Sequence, residues 1–274
     1  MSDQPSVTLH LGDCLDVLRT LPDASVDAVV TDPPYGQTNE AYESDIAFRP
    51  ELWAECARVA KPNAAVVSFA GSPTYHRIAT AIESGGWKVR QMWGWVYRDG
   101  LITSAYPREG FDRLAPAMDP ICYATRGKVL LRIEREGPAW AKTDKSGWST
   151  TRRDYSGRSG KMLSLDEKGH WPRAIASDGE PPFEYFAMPR TGRKPDGRTG
   201  HPNQKPLALM RWLLNKLPAN SIILDPFAGS GSTLVAAIAE GMSGIGIERD
   251  PEYHAIAQRR INEALGAHPL FNNA

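Results

Sequence analysis

The sequence predicts an α/β protein built on a doubly wound, mostly parallel sheet, and three observations carry that reading. Short apolar runs such as VDAVV, AAVVSF and SIILD recur along the chain, each suited to a strand buried on both faces. Amphipathic stretches of helical period lie between them, opening at Asp, Ser-Pro or Asp-Pro and closing at Gly or Lys-Pro. This rhythm fails only from about Val129 to Gly200 and then returns. Strands separated by short helices imply βαβ units.

In order, VTLHL reads as a strand and DCLDVLRTL as a helix after Gly12. VDAVVTD is a second strand, and PELWAECARVA a helix ended by Lys61-Pro62. AAVVSFAG follows as a strand, and Ser72-Pro73 opens a helix as N-cap and first-turn proline. WKVRQMWGWVY and DPICYATR are two later strands. Beyond the unpatterned segment, QKPLALMRWLLNKLP is helical, SIILD a buried strand, and STLVAAIAEG a helix with Gly241 at C′. SGIGIERD is the last strand, and Asp250-Pro251 caps and starts the final helix, PEYHAIAQRRINEAL.

A chain of 274 residues buries one sizeable core, and its 41% hydrophobic and 23% charged content is that of an ordinary soluble protein. Cys14, Cys56 and Cys122 are odd in number and widely spaced, which suits a reducing cytoplasm better than a disulfide framework or a zinc site. No export signal and no membrane-spanning run is expected. The zero net charge is uneven. Residues 126–198 hold 16 Lys+Arg against 10 Asp+Glu, a balance of +6, so the remaining 16 Lys+Arg and 22 Asp+Glu leave −6 elsewhere. A basic segment in an otherwise acidic chain fits a polyanionic partner or a solvated face.

TDPPYG, Thr31 to Gly36, follows a buried strand directly. Pro33 and Pro34 cannot donate ladder hydrogen bonds, so they stop the strand and leave nearby carbonyls available as acceptors. With Asp32 and the flat face of Tyr35, the corner suits a planar group bearing an –NH2; a bare turn is the other reading. ILDPFAGSGSTLVAA is the second informative stretch. Gly229 and Gly231 allow a close backbone approach at a helix N-terminus. Glu248, 19 residues beyond Gly229, can take both hydroxyls of a ribose. A dinucleotide, a phosphate and S-adenosylmethionine compete for such a turn. Leu234 fits poorly where a dinucleotide fingerprint needs a small residue, and the lysine of a phosphate-binding loop is missing. S-adenosylmethionine needs neither, and a structural strand-to-helix turn is the remaining alternative.

Together the motifs resemble those of the amino-group DNA methyltransferases, which use D/N/S-P-P-Y for the target amine and F-x-G-x-G for S-adenosylmethionine. Here DPPY, Asp32 to Tyr35, precedes FAGSG, Phe227 to Gly231, an order that resembles the β group of that family. The resemblance spans about residues 7–125 and 201–265. It implies a seven-stranded, Rossmann-like sheet, circularly permuted from the common methyltransferase sheet. A catalytic domain of residues 1–128 and 201–274, target-amine half first, would carry a target-recognition insert at 129–200.

The resemblance also assigns residues. Gly12-Asp13-Cys14 is similar to the motif whose Asp contacts the cofactor adenine, and His201-Pro-Asn-Gln-Lys205-Pro206 to the element lining the methionine end. The cofactor is thus expected against Asp13, Cys14, Asp32, Lys205, Pro206, Asp225, Phe227, Ala228, Gly229, Gly231, Ser232, Thr233, Glu248, Arg249 and Asp250. Met118-Asp119 stands near the target base, where the family often has His-Glu, and a structural role is an equal reading. The catalytic set is Asp32, Pro33, Pro34 and Tyr35. Arg152, Arg153, Arg158, Lys161, Arg193 and Lys194 of the insert are candidate phosphate contacts, and its tryptophans are expected to pack.

The implied reaction moves a methyl group from S-adenosylmethionine to the N6 amine of an adenine flipped out of double-stranded DNA, leaving S-adenosylhomocysteine, without a metal. Cytosine N4 enzymes usually carry Ser where this chain has Asp32. RNA and protein-glutamine methylases typically have Asn-Pro-Pro-Tyr in the unpermuted order, and a DNA-binding protein without catalysis would not need both motifs. A cytoplasmic protein of bacterial or phage origin is implied, a modification enzyme with no nuclease motif and no membrane partner; the family's homodimers make a dimer an open expectation.

Overall fold

The computed structural model describes residues 5–36, 45–95, 118–129, 131 and 204–267, with the backbone alone of 96–97 and 185–188. They belong to one unit, Met1–Arg132 with Glu184–Ala274. The first half holds β1 (Val7–Leu11), α1 (Cys14–Thr20), β2 (Val26–Thr31), α2 (Pro50–Val59), β3 (Ala60–Phe69), α3 (Tyr75–Ser84), β4 (Lys88–Tyr97) and β5 (Met118–Thr125). Then follow β6 (Tyr185–Met188), α4 (Leu207–Asn215), β7 (Ile222–Asp225), α5 (Ser232–Ala239), β8 (Ser243–Glu248) and α6 (Pro251–Ala267).

The strands form one sheet in the order β1-β8-β7-β2-β3-β5-β4-β6. Only β5 runs against the others, pairing antiparallel with both β3 and β4. The doubly wound, mostly parallel sheet expected from the sequence is therefore present. The seven strands read from the sequence are joined by an eighth, β6, which pairs parallel with β4 inside the stretch read as unpatterned. Four residues are too few for periodicity to reveal a strand.

Alternate residues of β2 and β3 serve opposite faces, which explains their unbroken apolar runs. Val29 and Val66 point into one core with Leu18 of α1, Trp53 and Cys56 of α2, and Ile78 of α3. Val30 and Val67 point into the other with Leu209 and Leu213 of α4 and Ala236 of α5. Helices α5 and α6 meet through Leu234, Ile238, Ala257 and Ile261. Gly244 and Gly246 make room for α5: a Cβ at Gly246 would lie 2.5 Å from Leu234 Cδ1.

Two boundaries differ from the sequence reading. Lys61-Pro62 does not separate helix from strand, because β3 begins at Ala60 directly after α2. Its first residues pair only loosely, with a register shift between Val26 and Ala28, so the proline costs no inner ladder bond. Ser72 does not cap α3, which starts at Tyr75. Its hydroxyl donates instead to the Met118 carbonyl at 3.3 Å, tying the end of β3 to β5. Among the described residues, no helix is long and apolar enough to cross a membrane.

Candidate active site

β7 and β2 are central, adjacent and parallel, yet the chain leaves them in opposite directions, from β2 to β3 and from β7 to β8. Ligands of open α/β sheets bind at such a switch point, outside the carboxyl ends of the strands. Both motifs occupy it. Asp32 follows the last residue of β2 and Asp225 is the last residue of β7. Thr31 Oγ1 donates to Asp225 Oδ1 at 2.6 Å, joining the two corners across 194 residues of sequence.

In the first corner, the Tyr35 hydroxyl donates to Asp32 Oδ1 at 2.6 Å. The Lys205 ammonium donates to Asp32 Oδ2. That ammonium is largely buried and also lies 5.5 Å from the Tyr35 ring centroid and 5.0 Å from that of Phe69, both within cation–π range. A carboxylate, an ammonium and a phenol therefore share one partly buried notch. Pro33 is buried and Pro34 half-buried, which stiffens the turn beneath them.

The second corner is a tight turn. Gly229 and Gly231 have φ of 51° and 78°, in the left-handed region that favours glycine. Gly231 N–H donates to the Ala228 carbonyl at 2.7 Å, and Ala228 N–H to the Ile247 carbonyl at 2.9 Å. Glu248 uses both carboxylate oxygens on the backbone: Oε2 accepts from Gly229 N–H and Oε1 from Asp250 N–H, each at 2.8 Å. Each oxygen keeps a further lone pair. Phe227 is half-buried beside the α1–α3 core.

The other expected cofactor residues differ in exposure, and several have partners within the chain. The Ser232 hydroxyl lies 3.2 Å from Arg260 Nη1, and Thr233 hydrogen-bonds to Asp225. Cys14 packs in the core, where burial, with Asp13 beside it, pushes its thiol up to about 12. Asp225 is buried too, and desolvation raises its carboxyl from 3.8 to about 6. Asp13 caps α1 by accepting from Leu15 N–H at 2.9 Å, leaving its other oxygen exposed, and Gly12 N–H donates to the Glu248 carbonyl at 3.0 Å. Asp250 caps α6 through Glu252 N–H at 2.8 Å, Arg249 is exposed, and Pro206 lies buried just before α4.

Arg152, Arg153, Arg158, Lys161, Arg193, Lys194 and His201 lie outside the described residues. Sequence reasoning missed Thr31, Phe69 and Arg260. None of the three left a signal in the sequence, because their partners at the site are set by the tertiary fold.

Comparison with known proteins finds relatives in sequence and in fold. The DNA adenine methyltransferase YhdJ of Escherichia coli (strain K12) is 28% identical over 280 residues, covering 94% of this chain and 83% of its own. The M1.HpyAVI-SAM complex matches with a TM-score of 0.62 at 23% identity, over 93% of this chain and 99% of its own. The PvuII DNA methyltransferase, cytosine-N4-specific, matches with a TM-score of 0.61 at 17% identity, over 100% of this chain and 97% of its own. The DNA methylase family model covers residues 26–259, spanning both corners, and the chain belongs to that family.

Proposed function

We propose that this chain transfers a methyl group from S-adenosylmethionine to the N6 amine of an adenine flipped out of double-stranded DNA. The observation that carries the reading is the meeting of the Asp32–Tyr35 corner and the glycine turn at the ends of adjacent strands, joined by the 2.6 Å bond from Thr31 to Asp225. Family membership supports methyl transfer to DNA. The choice of adenine rests on Asp32 at the head of DPPY and on the adenine methyltransferase among the relatives.

The residues present fit the cofactor. Glu248 keeps free lone pairs for a ribose diol beside the close-approach backbone of Gly229, and Asp13 has an exposed carboxylate oxygen near the same strand end. When bound, S-adenosylmethionine supplies an electrophilic sulfonium methyl. The chain's own residues then position and polarise the target. Tyr35 offers a stacking face worth about 1–3 kcal/mol per base, set against the few kcal/mol that flipping costs. The Asp32 carboxylate and the Pro33 carbonyl accept the two hydrogens of the amine. That draws the nitrogen toward a tetrahedral geometry and frees its lone pair, which in a planar amine is delocalised into the ring. Asp32 also faces the positive charge that grows on the nitrogen, while Lys205 holds the carboxylate in place. The basic stretch 129–200 is the proposed target-recognition insert, with Arg152, Arg153, Arg158, Lys161, Arg193 and Lys194 as phosphate contacts.

The test is nucleoside mass spectrometry of duplex DNA incubated with the protein and S-adenosylmethionine. N6-methyladenine should form, and the Asp32→Ala protein should bind the cofactor but transfer no methyl. N4-methylcytosine as the product would overturn the adenine assignment, and near-normal transfer by Asp32→Ala would overturn the role of Asp32.

A further inference from the structure

Helix α6 does more than cover the sheet edge. Its Arg260 reaches the glycine turn from behind: Nη1 lies 2.5 Å from the Ser230 carbonyl, 3.1 Å from the Ser230 hydroxyl and 3.2 Å from the Ser232 hydroxyl. The two hydroxyls are themselves 3.4 Å apart, and both serines are buried. One helical turn earlier, Ala257 sits against Gly231 so closely that a Cβ there would lie 3.1 Å from Ala257 Cβ. A single face of α6 thus meets the turn at two successive points. Between them, Ser230 is held while its neighbours Gly229 and Gly231 occupy the left-handed region.

We propose that Arg260 is a positioning residue for the cofactor, acting through the glycine turn. The inference rests on the reading of that turn as the S-adenosylmethionine site. The physical reason is the turn's own softness. Two glycines with Ser230 between them have many alternative conformations, and a ligand that needs one of them loses affinity in proportion to the fraction of time the others are occupied. Charge-assisted bonds are the strong ones, and the two N–H groups of Nη1, shared among three nearby oxygens of Ser230 and Ser232, favour a single conformation. In that conformation Gly229 N–H meets Glu248 and the carboxylate stands ready for a diol. Arg260 touches neither cofactor nor target; its effect is pre-organisation of the groups that do.

The separating measurement is cofactor affinity read beside fold stability. Arg260→Met and Arg260→Lys proteins are titrated with S-adenosylhomocysteine by calorimetry, with thermal unfolding of each ligand-free protein measured in parallel. Loss of the bonds to a charged donor is expected to weaken cofactor binding about tenfold in Arg260→Met. Arg260→Lys, which retains a cation for the Ser230 carbonyl only, should fall between it and the wild type. The KM for S-adenosylmethionine should rise in the same order while kcat holds. A merely structural arginine would lower the unfolding temperature and leave the Kd of the folded fraction unmoved, and that result overturns the proposal. Should Arg260→Met fail to fold, Arg260→Lys decides alone: a Kd within twofold of wild type overturns it, and a larger rise upholds it. A wild-type protein that does not bind the cofactor would sink the reading of the turn itself, an outcome visible before either variant is made.

Discussion

Among the described residues, Asp225 is the group through which pH should reach this fold between acid and neutral. It is 2% exposed. Burial is the main cause lifting its carboxyl from 3.8 to about 6, with the nearby Asp32 carboxylate adding to the rise. Bonds from Thr233, Thr31 and Phe227 N–H oppose the rise without cancelling it. Because the folded value lies above the unfolded one, the folded chain holds this proton more tightly. The associated stabilisation is full below 3.8 and is lost as the pH climbs through about 6. At about 1.4 kcal/mol per pH unit, the change from 3.8 to about 6 is worth about 3 kcal/mol. An Asp225→Asn protein has no proton to exchange at this position, while its amide oxygen can still accept from Thr31. The stability of wild type minus variant, from urea unfolding across pH about 3 to about 8, should therefore fall by about 3 kcal/mol on going from acid to neutral. Two stability profiles that stay parallel over that range would refute the reasoning.

Gly246→Ala should destabilise the fold by about 1–3 kcal/mol, because its Cβ would meet Leu234 Cδ1 at 2.5 Å in a fully buried contact; a lower urea midpoint with unchanged slope is the readout. The three cysteines are buried and free. Burial pushes the thiols of Cys14 and Cys122 up to about 12 and raises that of Cys56 as well, so a thiol-specific disulfide reagent at neutral pH should react only after unfolding. A thiol labelled within the mixing time in the native protein contradicts this.

What the sequence disclosed was whatever a local pattern encodes. The double-sided strands are visible because β2 and β3 are apolar on both faces, and α6 because Asp250-Pro251 supplies both its cap and its first turn. The two corners are visible because proline and paired glycines each force an unusual backbone. Partners chosen by the tertiary fold left no such trace. Lys205, assigned by resemblance to the methionine end of the cofactor, lies on Asp32, a contact across 173 residues. Ser232 and Thr233 look like open donors at a helix N-terminus, yet Arg260 and Asp225 engage them from inside. Ser72 reads as a cap because capping is the commonest local use of such a hydroxyl, but a neighbouring carbonyl lay within reach.

The same contrast explains why the two halves of this site can stand in this chain order. The Asp32 corner and the glycine turn lie far apart along the chain, 194 residues between Thr31 and Asp225. The joining is done by Thr31 on Asp225, Lys205 on Asp32, and Asp27, whose carboxylate accepts Ile222 N–H at 2.9 Å at the far end of the same strand pair. The first and the last are bonds between neighbouring strands or their flanking turns and depend on β2 lying beside β7, whereas Lys205 reaches Asp32 from just before α4. Moving the chain ends to another loop would leave all three intact, provided the sheet order survived. A permuted order therefore costs the chemistry nothing, and its demand falls on folding: the central β2–β7 pair closes only after residues nearly two hundred apart have met.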